Sequence, residues 1–103
     1  MKAVWNGHIA ADSNDTIVIE GNHYFPPESV NRDILVDSDL HTACFWKGEA
    51  SYYNLKAIDE EATDAAWYYP EPKEGSVEKV GTDFTNYVAF YPNIVSIQGS
   101  HKP

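Results

Sequence analysis

The stretch from His41 to Tyr53 carries the chain's densest set of reactive groups: His41, Cys44, Lys47, Tyr52 and Tyr53, with Phe45 and Trp46 among them. An imidazole, a thiol, an amine and two phenols this close can serve acid–base, nucleophilic or anion-holding chemistry. A lysine beside aromatic rings loses hydration, which lowers its pKa and makes it a base, a nucleophile or an anion clamp. Gly48 lets backbone approach a ligand closely. The same residues also fit a plainer role, with the rings in a core and Lys47 as a surface charge.

His41 and Cys44 stand three apart, a spacing that metal sites use. Structural zinc needs four ligands, usually with cysteine pairs. This chain has one cysteine, and His8, His23 and His101 add no helpful spacing. No metal and no cofactor is therefore expected. His41 and Cys44 are also a candidate base–nucleophile pair, although a free cysteine is often a small buried hydrophobe. Glu20, His23 and Tyr24 fall where a strand ends and a loop begins, a place that often carries function. Trp67-Tyr68-Tyr69 alternates, with Trp67 and Tyr69 on one face and Tyr68 on the other. Asp37-Ser38-Asp39 has the form of a magnesium-holding pair, but it reads as a loop and no Gly-Ser phosphate motif precedes it. The chain has no P-loop, dinucleotide-binding glycine motif or nucleophile elbow.

Short β-branched and aromatic runs, separated by Gly, Pro, Asn and Asp, must position these groups. That pattern predicts an all-β domain. Asn6-Gly7 is the strongest hairpin signal, joining Lys2–Trp5 to His8–Ala11. Thr16 to Glu20 is a strand closed by Gly21-Asn22. Pro27 and Glu28 open one or two helical turns. Phe45-Trp46 reads as a short strand ended by Gly48. Ala50 to Ala57 is a strand with Tyr53, Leu55 and Ala57 on one face and Tyr52 and Asn54 on the other. Asp59 to Thr63 is a polar turn, and Ala65 to Tyr69 a strand stopped by Pro70. Lys73 to Asn86 reads as either a loop or a short helix. Tyr87–Tyr91 and Ile94–Ile97 form a last hairpin around Pro92-Asn93.

With 103 residues, the chain has room for one domain, 1–103. Aromatics make up 14% of it, and the net charge is −9. An acidic surface argues against phosphate-mediated nucleic-acid binding and against anionic membranes. No disulfide, leader or membrane-spanning run is expected, so the expected location is cytoplasmic.

Several blocks together resemble the family called domain of unknown function 427. They are Glu20 to Glu28, His41 to Gly48, Ala50 to Tyr53, Ala65 to Pro70 and Val88 to Tyr91, in that family's order. The resemblance implies a fold similar to the β-tent, or Mss4-like, group, in which antiparallel sheets meet at an angle. Many such relatives hold zinc with two C-x-x-C pairs, which this chain lacks. Some use a Trp- and Tyr-lined cleft between sheets for a small ligand. A nucleotidyltransferase label attaches to the family, but no residues here carry that chemistry. The expectation is a binding module taking a small polar or cationic ligand, since aromatic faces attract cations. Its candidate lining is Glu20, Tyr24, His41, Cys44, Trp46, Lys47, Tyr52, Trp67 and Tyr69. The alternatives are a small enzyme using Lys47, His41 or Cys44 with Glu20, and a homodimerisation module.

Overall fold

A computed structural model describes residues 1–99; His101, weighed above as a metal ligand, lies outside the described residues. Among the described residues, nine strands form three antiparallel sheets. The all-β expectation therefore holds, with one 3-10 turn at Pro27–Ser29 and one short helix.

The first sheet has the order β2-β1-β9, from His8–Asp12, Lys2–Trp5 and Ser96–Gln98. Asn6 and Gly7 both take positive φ, 47° and 81°, as the predicted tight hairpin requires. A two-stranded hairpin follows, β3 (Ile17–Ile19) with β4 (Asn22–Tyr24). Its turn falls on Glu20-Gly21, one residue earlier than the sequence reading.

The third sheet holds β5 (Leu35–Cys44), β6 (Gly48–Ala57), β7 (Glu60–Tyr68) and β8 (Val88–Phe90) in chain order. Paired backbone hydrogen bonds between Phe25 and Val88 (2.8 and 2.9 Å) tie the β3–β4 hairpin to the β8 edge.

This four-stranded sheet is the middle layer, and it is covered on both faces. Strand alternation sends Tyr53, Leu55, Val88 and Phe90 towards the first sheet, where Ala3, Trp5 and Ala10 meet them. Alternation sends Tyr52, Trp67 and Ala89 the other way, against Ile19, Tyr24 and Phe84. The face assignments read from Ala50–Ala57 and Ala65–Tyr69 hold for that reason. β6 is buried on both sides, as a central strand between two layers must be.

Other boundaries differ from the sequence reading. Asp37 to Asp39 is not a loop but an irregular part of β5, where the register with β6 slips between Asp37 and His41. Ser38 turns inward there to bond the Asp64 carboxylate. Phe45-Trp46 is not a strand. With Lys47 it forms the three-residue turn between β5 and β6, closed by Gly48 at φ 111°. Glu60 to Thr63 belongs to β7, which is longer than expected because Ile58-Asp59 alone make the turn. Within Lys73–Asn86, α1 spans Ser76–Val80. Tyr87–Tyr91 and Ile94–Ile97 do not pair with each other. β8 joins β7, and β9 crosses to β1. Among the described residues no helix is long and apolar enough to cross a membrane.

Candidate functional site

The β5–β6 turn delivers Lys47 to the second core. Gly48 makes this delivery possible, because a Cβ there would lie 3.1 Å from both Glu71 O and Lys73 N. The 71–73 segment packs against the bare glycine, and Lys73 N donates to Lys47 O at 2.9 Å. Lys73 Nζ also donates to Phe45 O at 2.7 Å, tying that loop to the tip of the turn.

Lys47 is 6% exposed, yet it remains charged. Burial works against its charge. The Glu20 carboxylate, which pairs with it, and the phenols of Tyr24 and Tyr69 overcome that penalty, so its pKa is raised. Its ammonium lies 5.3 Å from the Trp46 ring centroid and 5.4 Å from that of Tyr69. Both contacts are within cation–π range. The hydrogen bond from Lys47 holds the Glu20 carboxyl below its usual value, and Trp46 adds to the effect.

Around this pair the aromatic rings close. Trp67 Nε1 donates to Tyr24 Oη at 2.9 Å, and the two rings meet edge to face. Phe84 packs edge-on against both Tyr24 and Tyr69. Burial raises the phenol of Tyr24 and pushes that of Tyr69 up to about 12. Neither ionises near neutral pH, so both act as dipoles.

Glu20 reaches Lys47 from a costly backbone. It sits at φ 53°, in the left-handed region that favours Gly, Asn or Asp. A strained non-glycine residue bearing half of an ion pair marks a place where the side chain outweighs turn comfort.

Eight of the nine sequence candidates lie on this face, and seven of them gather around the ammonium. Glu20, Tyr24, Trp46 and Tyr69 surround that of Lys47, Trp67 supports Tyr24, and the half-buried Cys44 lies near Tyr69. Tyr52 shares the face but sits further along it, exchanging a 2.9 Å hydrogen bond with Thr42. His41 does not join them. It lies on the opposite face of the sheet, beside Ser51 (3.1 Å) and Glu49 (3.9 Å), and is half exposed. Among the described residues no group of three or more His, Cys, Asp or Glu could hold a metal ion.

Inside the aromatic cluster the rings of Tyr24, Trp67, Tyr69 and Phe84 pack on one another. Open space adjoins it, in a groove of about 290 Å³ whose lining includes Phe45, Trp46, Ser76 and Lys79, with Lys73 and Glu74 of opposite charge side by side. Phe45 is 86% exposed there, and Lys79 Nζ stands 4.7 Å over the Trp46 ring. Sequence reasoning missed Phe45, Lys73 and Lys79 as site members. Lys79 reaches Trp46 across 33 positions of chain, and no local pattern announces that contact.

Residues 1–100 match the family described as domain of unknown function 427. The chain belongs to that family. The match spans every site element just described, from the Glu20 turn to the Lys79 helix. No curated protein matches the sequence.

Proposed function

We propose that this chain is a small-molecule-binding module, and that its ligand docks in the groove beside Trp46 through a flat apolar body and a negative charge. One observation carries the reading. Lys47, Lys73 and Lys79, three of seven basic residues in a chain of net charge −9, gather around the Trp46 turn; Glu20 neutralises Lys47, which leaves Lys73 and Lys79 against one lining carboxylate, Glu74. Local positive charge in an acidic protein favours an anion at that spot and repels it elsewhere.

The same geometry speaks against a cationic ligand. The Trp46 face that would attract one is already occupied by the protein's own ammonium groups. It also speaks against Lys47 as a base or nucleophile, because a raised pKa keeps the amine protonated. Lys47 is better suited to fix the Trp46 turn while Lys73, Lys79 and Phe45 meet the ligand.

Two probes of similar shape and opposite charge test this: benzoate and benzyltrimethylammonium, followed by the Trp46 indole resonance. Benzoate is expected to shift it saturably, and K79E to weaken that binding about tenfold, a loss of one charge contact. A response to benzyltrimethylammonium alone, or to neither probe, overturns the reading.

A further inference from the structure

A further cavity lies at the other end of the long strands. It holds about 680 Å³, within the range that accommodates small organic ligands. Its wall combines the β6–β7 turn (Ala57 to Glu60) with Asp33, Ile34, Lys56 and His8.

Three features define its chemistry. The first is an apolar lining without a protein partner: Ile58 is 99% exposed at the tip of a turn, next to Ala57 and Ile34. The second is charge. Asp33, Asp59 and Glu60 line the cavity against Lys56 and a histidine. The third is the state of those carboxylates. Glu60 is engaged by His8 Nε2 at 3.3 Å, whereas Asp33 and Asp59 have no side-chain partner among the described residues. Inside this cavity Ile58 extends the apolar surface of Ala57 and Ile34, with the two carboxylates at its side. A ligand with an apolar body and a cationic head would cover the first and pair the second.

The geometry points to a second binding site here, one that takes a small organic cation of the alkylammonium type. It is independent of the anion groove, from which the ten residues of β6 separate it by roughly 30 Å. Its opposite charge follows from opposite lining: lysines over a tryptophan at one end, unpaired aspartates beside an isoleucine at the other.

The probes are hexylammonium, hexanoate and 1-hexanol, titrated into the full chain while the Ile34, Ala57 and Ile58 methyl resonances are followed. Hexylammonium is expected to shift them saturably and to bind at least about fivefold tighter than hexanoate, a preference of the size that surface charge pairs supply. D33N/D59N exchanges exposed groups and should leave melting unchanged while weakening hexylammonium about tenfold. K79E should leave this binding as it is, which separates failure here from failure of the anion groove. Equal binding of hexylammonium and hexanoate, absence of saturation, or indifference to D33N/D59N would each overturn the cation assignment.

Discussion

The two ends of the central strands solve opposite problems. At the Lys47 end a charge is buried, and everything near it exists to keep it satisfied: a carboxylate, two phenols and two ring faces. At the Ile58 end an apolar side chain is exposed, and two neighbouring carboxylates have no side-chain partner among the described residues. The Lys47–Glu20 pair and its rings are self-sufficient, so they serve stability and position, while Phe45, Lys73 and Lys79 beside them face the groove. The Ile58 end contributes little to the fold, so its composition is free to answer to something outside it.

The largest effects should come from breaking the closed end. Removing one partner of a covered ion pair leaves the other uncompensated, whereas an apolar replacement of similar shape can be nearly neutral. K47A also deletes a buried side chain whose ammonium faces Trp46 and Tyr69, and should cost about 3 kcal/mol. E20A strands the ammonium but removes a half-exposed carboxylate that water already screens, so about 2 kcal/mol is expected. K47M keeps the volume and should cost less than about 1 kcal/mol. Chemical denaturation of these variants and of E20A/K47M gives the coupling directly. If K47M is as damaging as K47A, the charge rather than the packing holds this end together.

Next in size is Y24F. It deprives the buried Trp67 N–H of its acceptor, which should cost about 1–3 kcal/mol. T42V cuts a hydrogen bond nearer the rim, between an exposed threonine and Tyr52, and should cost about 1 kcal/mol or less. Similar losses for the two would mean that this face is not sealed around Tyr24.

How much of this contrast the sequence disclosed depends on distance along the chain. Local signals worked where local physics decides. Asn6-Gly7 announced its hairpin because only such residues accept positive φ twice. The alternation in Ala50–Ala57 placed Tyr52 and Tyr53 on opposite faces because the pleat demands it. The reading failed where partners are remote or the turn chemistry is atypical. Ile58-Asp59 turns the chain without a Gly or Asn, so β7 was read too short. The apolar Ile94–Ile97 run looked like the mate of Tyr87–Tyr91, yet β1 claims it. Within the site, Glu20 and Lys47 were both singled out, but nothing near either tells that they meet. His41 was grouped with Lys47 because it is near in sequence. Strand parity sends it through the sheet to the other side.

Acid should separate the ends without any mutation. The folded-state pKa of Glu20 is depressed, so the stability it contributes is present above the unfolded carboxylate value and is lost as pH falls through the folded one. Lys47 has the opposite sign: its contribution is complete below the ordinary lysine value and fades only in strong base, as pH rises through its raised folded value. Between these limits the pair contributes fully. The stability gap between the parent chain and E20Q should therefore be flat near neutral pH and shrink below about pH 4.5, where unfolded-state carboxylates protonate. A gap that persists into acid would assign the loss in E20Q to packing and not to charge.

The smallest expected effect bears most directly on the open end. Ile58 is 99% exposed, so I58S removes almost no buried apolar area and should change stability by less than about 0.5 kcal/mol. H8A removes an exposed 3.3 Å pairing with Glu60 and the contact of that ring with Trp5, 5.8 Å between centroids, and should cost about 1 kcal/mol or less. The value of I58S lies in being silent for the fold while still altering hexylammonium binding, because it removes the apolar surface that the alkyl chain would cover. A loss above about 1 kcal/mol would mean that Ile58 packs in solution. The two ends would then both be closed, and the contrast between them would dissolve.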